Sequence, residues 1–380
     1  MRFRSNTFTF FVVFAMALLA FSGCAIAAMS GAPVASPAIV DAATAKPHDY
    51  RDKNFDYFVA GDPALPRAAH TDYGLALMGG GGIVDAAFRF VAIQAGGGHI
   101  VILRAVSDDS FDPTDDKYGE SFMGEWGPVA SARTIVFHNR KASFDPRVIE
   151  ALRGADGIFL AGGDQGNYIR YWKGTPVQAA LNAHVLANRP IGGSSAGLAI
   201  LGHYSYTSLD GGSMESKAAL ADPYNAGMTL ETDFLHYRGL ENVVTDSHFS
   251  ARSRLGRLIV FVARFNKDEP GAKAFGIGID EKTALLIGAD GIGRVAAGSA
   301  GSAWLVMPQQ PPTTLLRNEP LSMENIHIAR LDQSSSFNLK TRAVQQAAAE
   351  TTLSIRRGKA TADSIATPIL TRSKALPNES

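Results

Sequence analysis

Short apolar runs alternate with stretches of helical periodicity through the middle of the chain. A strand that is covered on both faces is apolar at successive positions, so such runs predict strands of a buried parallel sheet. The predicted strands are Leu75–Met78, His99–Ala105, Thr134–Phe137 and Gly157–Ala161. Helical stretches follow at 83–95, 146–152 and 177–186. This alternation predicts an α/β fold, a three-layer sandwich with a mainly parallel sheet.

The pattern changes in the second half of the chain. An apolar helix is predicted at Leu255–Phe265, and strands are predicted at Phe275–Ile279 and 284–287. Asp290-Gly291 separates two apolar runs, which favours a tight hairpin turn. We therefore expect an antiparallel hairpin near the C-terminus. Beyond residue 311 polar residues dominate, and one further helix is predicted at 341–350.

The first residues have the pattern of a secretory signal peptide. Arg2 and Arg4 precede the apolar segment Phe8–Phe21, which is too short to span a bilayer comfortably. Ala25-Ile26-Ala27 fits a cleavage site before Ala28, whereas Ser22-Gly23-Cys24 resembles the lipobox at which a cysteine is lipidated. We expect an exported protein, periplasmic or extracellular, with a lipid anchor at Cys24 as the alternative.

These patterns divide the chain into four parts. They are a signal peptide at 1–27, a spacer at 28–70, an α/β domain at 71–310 and a partly disordered C-terminal extension at 311–380. The spacer is rich in Ala, Pro and Ser, although its segment Tyr50–Val59 is expected to pack on the domain. The α/β domain is therefore the part expected to carry a functional site.

Composition narrows the classes of function. Lys and Arg together number 36, as do Asp and Glu, so the formal net charge is zero. This balance argues against a nucleic-acid-binding protein and against a general attraction to anionic lipid. Cys24 is the only cysteine, so the chain after residue 27 offers no disulfide, thiolate nucleophile or cysteine-based metal site.

The candidate chemistry centres on Gly193-Ser194-Ser195-Ala196-Gly197, which has the G-x-S-x-G form of a nucleophile elbow. A serine on a sharp strand-to-helix turn can reach both a base and a substrate, and glycines permit that turn. The backbone N–H groups of Ala196 and Gly163 are the predicted donors to an oxyanion. A glycine-rich structural turn is the alternative.

Three glycine-rich loops support the functional interpretation. The loops 79–82, 162–165 and 193–197 each follow a predicted strand. The carboxyl ends of parallel strands meet at one edge of a sheet, which is where such folds bind ligands. We therefore expect all three loops to open on the same site.

His248 is the candidate base among nine histidines. It lies downstream of Ser195, where an apolar strand that starts at Val243 runs into a loop. The alternative is a structural histidine that pairs with Asp246.

Three arginines, Arg252, Arg254 and Arg257, follow this histidine. Arg254 and Arg257 share a helix face. One interpretation of the three arginines is a solvated helix surface. The other is a fork that binds substrate carboxylates, in which Asp246 holds one of the arginines in place. Gln165 is a candidate donor to a substrate backbone.

Gly79–Val84 does not fit G-x-G-x-x-G, and the sequence contains no G-x-x-x-x-G-K-[ST] or H-E-x-x-H, so neither a cofactor nor a metal is expected.

Four motifs in order resemble the cyanophycinases, serine peptidases of family S51 related to dipeptidase E. The fold of that family is similar to the class I glutamine amidotransferases. The motifs are Gly162-Gly163-Asp164-Gln165, 192–197, 246–257 and 276–284, and the resemblance covers 74–306. It implies that Ser195 is the nucleophile and His248 the base. It also implies substrate contacts from Gln165, Asp246, Arg252, Arg254 and Arg257.

The resemblance further implies a substrate. Cyanophycinases cleave cyanophycin, a polyaspartate with arginine on its side-chain carboxylates, and release β-aspartyl-arginine. Related enzymes place an acidic third triad member between the serine and the histidine. Asp210 and Glu215 both qualify, and we predict Glu215. Ser247 stands where the best-known cyanophycinases carry Gln.

Two other functions stay open at this point. One is a related peptidase that acts on other isoaspartyl or acidic peptides, and the other is a non-catalytic surface binding protein. A polymer or peptide is the expected partner, and the sequence leaves a homodimer open.

Overall fold

The computed structural model describes residues 49–106, 118–210, 212–297 and 301–360. The expected signal peptide, Cys24 and the end of the C-terminal extension lie outside them. The strands, in chain order, are β1 (Tyr50–Arg51), β2 (Phe55–Gly61), β3 (Gly74–Met78), β4 (His99–Ala105), β5 (Ser131–Phe137), β6 (Gly157–Leu160), β7 (Ile191–Ser194), β8 (Ser205–Tyr206), β9 (Leu230–Glu231), β10 (Val243–Asp246), β11 (Phe275–Ile279), β12 (Thr283–Gly288), β13 (Ile292–Ala297), β14 (Ala303–Pro308), β15 (Met323–Leu331), β16 (Ser336–Asn338), β17 (Val344–Gln345), β18 (Ala349–Arg356) and β19 (Lys359–Ala360).

The helices begin where the sequence supplies suitable caps. Asp145 accepts a hydrogen bond from the backbone at the start of one helix, and Thr175 does so at another, each followed by a proline in the first turn. The helices are α1 (Asp85–Gln94), α2 (Tyr118–Met123), α3 (Pro146–Gly154), α4 (Gln165–Trp172), α5 (Pro176–Leu186), α6 (Ala196–Ala199), α7 (Ser216–Ala221) and α8 (Leu255–Asp268). No helix of the described residues is long and apolar enough to cross a membrane.

The larger sheet has eleven strands in the order β1-β2-β5-β4-β6-β7-β3-β12-β13-β16-β17. Its centre, from β5 to β3, is parallel throughout. The strands outside this centre are antiparallel, and β12 with β13 forms the hairpin expected around Asp290-Gly291. The α/β fold with a mainly parallel sheet is therefore confirmed.

Helices cover both faces of this sheet, as the strand alternation shows. Leu75 and Leu77 of β3 pack in a cluster with buried residues of α3, α4 and α5. Ala76 and Met78 point the other way and pack with α1 and α2. Successive side chains of a strand point to opposite faces, so the apolar run fills two cores at once. This arrangement is the three-layer sandwich.

A second, six-stranded sheet was not expected from the sequence. Its order is β10-β11-β14-β15-β18-β19, and only β10 and β11 are parallel. Helix α8 packs against it, and Leu258, Phe261 and Val262 of this helix are fully buried. The short turn between β11 and β12 carries the chain from the smaller sheet to the larger one.

The C-terminal prediction is corrected by the structure. Residues 311–360 contain β15 to β19, and β15 is a nine-residue strand between β14 and β18. The helix predicted at 341–350 is absent there, because β17 and β18 occupy that segment. Its Ala- and Gln-rich sequence has good helix propensity, but pairing of Ala349 with Arg330 and of Thr352 with His327 overrides it.

The domain boundaries at 70 and 310 are corrected for the same reason. Strand β2 pairs with β5 along its whole length, so the sheet begins well before residue 71. At the other end β15 pairs with β14, and β16 pairs with β13. The folded unit therefore includes the described residues on both sides of the expected domain.

Candidate active site

The three glycine-rich loops meet at one edge of the larger sheet, as expected. They follow β3, β6 and β7, which are parallel neighbours. Strand β12 is antiparallel to β3 and pairs Ala284 with Met78, so its first residues lie at that edge too. The edge therefore receives the residues that precede β12 as well as those that follow the parallel strands.

Ser195 lies on a strained turn between β7 and α6. Its backbone has φ 53° and ψ −116°, a combination that non-glycine residues rarely adopt. Gly197 makes the turn possible, since a β carbon there would lie 2.0 Å from the carbonyl oxygen of Leu160. These are the features of a nucleophile elbow, in which the hydroxyl is presented at the end of the strand.

The structure brings His248 to Ser195. The distance from Nε2 of His248 to Oγ of Ser195 is 2.7 Å. His248 follows β10 of the second sheet, and its amide donates to the carbonyl of Gly79 at 2.8 Å. Gly80 fits closely against both, because a β carbon on it would lie 2.7 Å from Nε2 of His248. The two side chains therefore come from different sheets and meet beside the loop after β3.

Glu281, and not Glu215, contacts the other nitrogen of the histidine. Oε1 of Glu281 lies 2.7 Å from Nδ1 of His248. Glu281 belongs to the turn between β11 and β12, which is fixed by a hydrogen bond from the amide of Lys282 to the carbonyl of Gly80. Glu215 instead precedes α7 and is exposed. The prediction of Glu215 from the sequence was wrong because it assumed that the third residue lies between the serine and the histidine in the chain. Asp210, the other candidate, rested on the same assumption, and Glu281 takes the place of both beside His248.

A sequence signal for Glu281 did exist. Asp280 and Glu281 directly follow the apolar run 275–279, at the end of a predicted strand. The carboxylate of Asp280 accepts hydrogen bonds from the amides of Ser250 and Ser302 and so anchors the turn. Glu281 is then left facing the histidine.

The surroundings of His248 hold it neutral at pH 7. Burial lowers the pKa of His248, and the positive charges of Arg252 and Arg254 lower it further. The hydrogen bond with Glu281 opposes this effect but does not reverse it. A carboxylate can only accept, so Nδ1 of the histidine carries the hydrogen and Nε2 is free to accept the proton of Ser195.

The amides expected to bind an oxyanion have no competing acceptor. In residues 49–106, 118–210, 212–297 and 301–360, the N–H groups of Gly163 and Ala196 donate to no other group. Gly162 lies against the serine, since a β carbon on it would be 3.6 Å from Cβ of Ser195. Both amides therefore retain a donor at the edge of the sheet where the serine lies.

Arg254 and Arg257 do not form an open fork, contrary to one of the two expectations. Both are buried, and Nε and Nη2 of Arg257 hold the two carboxylate oxygens of Asp246 at 2.8 and 2.5 Å. Arg254 donates to the carbonyl of Ser247 at 2.9 Å and to Oγ of Ser213 at 3.2 Å. Burial and the charge of Arg257 lower the pKa of Arg254 to about 9, so it stays protonated at pH 7. Both arginines therefore hold the segment just before His248 through buried hydrogen bonds.

The remaining predicted residues lie around this group. Arg252 is exposed, and its amide donates to the carbonyl of His248 at 3.0 Å. Gln165 is the first residue of α4, and its Nε2 donates to the carbonyl of Tyr206 at 2.6 Å. Among the described residues no group of three or more His, Cys, Asp or Glu side chains is arranged to hold a metal ion.

Comparison with known proteins gives a consistent set of relatives. The family model described as "Peptidase family S51" matches residues 113–294. A protein named cyanophycinase from Synechococcus elongatus is 33% identical over 259 residues, covering 66% of this chain and 74% of that protein. One of the same name from Geminocystis herdmanii is 25% identical, covering 64% of this chain and 85% of that protein. A solved peptidase structure from an acI-B1 Actinobacterium covers 62% of this chain and 95% of that chain, with 18% identity and a TM-score of 0.42.

The family assignment rests on the extent of the sequence match. The similarity to the Synechococcus protein runs through most of that protein's length, and the family model matches the part of this chain that contains Ser195, His248 and Glu281. The chain therefore belongs to peptidase family S51 and is a serine-type peptidase.

Proposed function

We propose that this peptidase hydrolyses cyanophycin to β-aspartyl-arginine through an acyl-enzyme on Ser195. The observation that carries the proposal is the hydrogen-bonded line from Ser195 through His248 to Glu281, with both distances at 2.7 Å. The similarity to proteins named cyanophycinase supports the choice of substrate.

The chemistry follows from the protonation state of the histidine. Neutral His248 accepts the proton of Ser195 at Nε2 as the hydroxyl oxygen attacks the substrate carbonyl. Glu281 keeps Nδ1 protonated and stabilises the imidazolium that forms. The amides of Ala196 and Gly163 donate to the oxyanion. His248 then gives its proton to the leaving amine, and a water molecule repeats the sequence to release the acyl group.

The buried group of Asp246, Arg254 and Arg257 has a supporting role in this proposal. Asp246 ends β10, two residues before His248, and the bidentate contact with Arg257 fixes it to α8. An arginine and a carboxylate in this geometry form a strong, directional pair. The pair therefore fixes the end of the strand that delivers the histidine to the serine.

The proposal is tested by incubating purified protein with cyanophycin granules beside its Ser195→Ala variant. We expect β-aspartyl-arginine from the first and none above background from the second. If the wild-type protein leaves cyanophycin intact but cleaves another β-aspartyl peptide in a Ser195-dependent manner, the cyanophycin assignment is wrong and the related-peptidase alternative is correct. Ser247, which is buried against Arg254, is the observation that favours that alternative.

A third outcome would favour a binding protein. If neither cyanophycin nor β-aspartyl peptides are cleaved and Ser195 does not react with a fluorophosphonate probe, the hydrogen-bonded line is structural only. The non-catalytic surface protein would then be the better interpretation.

We also propose that the protein is exported. The support is the sequence of residues 1–27, with basic residues, an apolar segment and an A-x-A site. Cell fractionation of a tagged protein, with mass determination of its mature N-terminus, would distinguish cleavage before Ala28 from lipidation at Cys24. Recovery of the full-length chain in the cytoplasm would contradict export.

A further inference from the structure

Tyr168 has no place in the mechanism above, although its hydroxyl contacts the loop that follows β6. Its Oη donates to the carbonyl of Ala161 at 2.6 Å, and both residues are almost completely buried. Ala161 is the first residue after β6 and precedes the glycines of the predicted oxyanion-binding loop. In the described part of the chain, this hydroxyl is the donor that the Ala161 carbonyl accepts. A buried carbonyl needs such a donor, so the contact fixes the direction in which it points.

The direction of this carbonyl also sets the direction of the next amide. A peptide bond is planar and trans, so the N–H of Gly162 points opposite to the carbonyl of Ala161, away from the Tyr168 hydroxyl. Gly162 lies beside the nucleophile, 3.6 Å from Cβ of Ser195 to an added β carbon. The Ala161 carbonyl lies against the same turn, since a β carbon on Gly197 would be 2.8 Å from its oxygen. This peptide therefore contacts both the hydroxyl of Tyr168 and the turn that carries Ser195.

Tyr168 also packs against the second glycine of the loop. A β carbon on Gly163 would lie 2.8 Å from Oη of Tyr168 and 2.5 Å from the carbonyl oxygen of Ala105. The amide of Asp164 donates to that same carbonyl of Ala105, the last residue of β4, at 3.1 Å. Tyr168 thus holds the loop at its start and the end of β4 holds it at its finish, which restricts the amide of Gly163 between them.

The side chain of Tyr168 is itself held rigidly. Its ring stacks on Trp172 with 4.5 Å between the ring centroids and 5° between the planes, and both rings are fully buried. Phe137 of β5 packs edge-on against Trp172 at 5.4 Å. Burial raises the pKa of Tyr168 well above its ordinary value, so the hydroxyl stays protonated and remains a donor at any working pH.

We propose that Tyr168 is a positioning residue for the oxyanion-binding loop. By holding the carbonyl of Ala161, its hydroxyl keeps the N–H groups that follow available to the oxyanion formed beside Ser195. The inference rests on the acyl-enzyme chemistry of the proposed function, but it does not depend on cyanophycin as the substrate.

The physical reason is the peptide orientation that the hydroxyl imposes. Without it, the Ala161 carbonyl loses its buried donor, and the peptide gains by rotating toward water at the open edge of the sheet. That rotation places a carbonyl oxygen where the N–H of Gly162 lies, and an oxygen there repels an oxyanion. The loss falls on the step that forms the oxyanion, whereas reversible binding and the pKa of His248 stay as they are.

The test uses a fluorophosphonate probe, which reacts with the serine and places its phosphoryl oxygen where the oxyanion forms. Tyr168→Phe keeps the ring stacked on Trp172 and removes only the hydroxyl. It is expected to lower the maximal inactivation rate constant about tenfold or more and to change the reversible binding constant by less than about twofold. The pH midpoint of inactivation is expected to stay at the wild-type value, because His248 and Glu281 are unaltered.

Tyr171→Phe is the matched control, because it removes a phenolic hydroxyl from the same helix that donates to no described residue. It is expected to change neither constant. Both variants are expected to reach complete labelling at long times, which shows that their active sites are folded. A crystal structure of the phosphonylated wild type adds a measurement that needs no variant, and Tyr168 is expected to keep its bond to Ala161 there.

Inactivation of Tyr168→Phe at the wild-type rate, or a slower rate with a shifted pH midpoint, would overturn the inference. A phosphonylated wild type in which the Ala161 carbonyl has turned away from Tyr168 would do the same. Cleavage of cyanophycin by the wild type would show in those cases that the proposed function still holds. Selective slowing of Tyr168→Phe in a protein that leaves cyanophycin intact would support the inference and overturn the proposed substrate alone.

Discussion

Two residues of the candidate site have backbone conformations that cost energy. Ser195 has φ 53° and His248 has φ 45°. Such conformations cost on the order of 1–3 kcal/mol each and persist only where surrounding contacts determine them. Those contacts come from one short segment, because the amide of Ser195 donates to the carbonyl of Met78 and the amide of His248 donates to that of Gly79. The end of β3 thus holds both strained residues in place.

Gly80 is the position where this arrangement is most sensitive. A β carbon there would lie 2.7 Å from Nε2 of His248 and 3.0 Å from Cβ of Ser195. We expect Gly80→Ala to lower kcat/KM by at least about a hundredfold, because the clash separates the two side chains. Gly271→Ala is the matched control, since that glycine also has a positive φ but no atom within 4 Å of the added carbon. Equal kcat/KM values for the two variants would contradict the close fit.

The pH dependence of the activity follows from the lowered pKa of His248. The base must be neutral, so kcat/KM should fall with decreasing pH through a midpoint below 6.5, the ordinary value for histidine. Glu281 favours the charged imidazolium, so Glu281→Gln should move this midpoint to still lower pH and reduce kcat/KM about a hundredfold or more.

Measuring the pH dependence of kcat/KM for Glu215→Gln as well shows which of the two carboxylates, Glu215 or Glu281, acts on His248. Glu215→Gln should leave the midpoint where the wild type has it, because Glu215 makes no contact with His248 among the described residues. A shift caused by Glu215→Gln and not by Glu281→Gln would show that the structure pairs the wrong carboxylate with the base.

At the scale of elements, the site depends on how β10 is fastened to α8. Asp246 is almost fully buried. Its carboxylate forms an ion pair with Arg257, and its Oδ1 lies 3.4 Å from Nη1 of Arg254. Two buried arginines without it would carry unpaired charge. Breaking a buried pair by removal of one partner costs about 3–5 kcal/mol.

Asp246→Ala should therefore lower the free energy of unfolding by about that amount, measured by urea denaturation. Glu324→Ala is the matched control, because the pair of Glu324 with Arg356 is exposed on both sides. Its removal should change the free energy of unfolding by less than about 1 kcal/mol. Similar losses in the two variants would mean that the buried group does not hold the element.

The sequence predicted the elements that are apolar along their whole length. The parallel strands around Leu75–Met78 and His99–Ala105 are recognisable because both faces are buried, and the motif around Ser195 requires its turn. The strands after residue 311 were missed because they are antiparallel and half-exposed, so their polar positions resemble a tail. Glu281 was missed because its place depends on a long-range event, the crossing of the chain from one sheet to the other between β11 and β12.

At the scale of the whole molecule, the candidate site is shared between two sheets. Ser195 follows β7 of the larger sheet, His248 follows β10 of the smaller one, and Glu281 lies in the turn that joins them. The smaller sheet is completed by β14, β15 and β18, whose buried residues include Val306, Ile328 and Leu353. The distance between serine and histidine therefore depends on strands far along the chain from either residue.

This dependence predicts the result of removing residues 311–380. Strands β15, β18 and β19 would be lost together, so β14 would become an edge of the smaller sheet, and β13 would lose β16. A chain that ends at residue 310 should then be insoluble or unfold without a cooperative transition, since two sheet edges and their apolar faces would be exposed. In the full chain Ile328→Ala should cost about 2–5 kcal/mol and lower the melting temperature. A soluble shortened chain that unfolds cooperatively and whose Ser195 still reacts with a fluorophosphonate would show that the extension is dispensable.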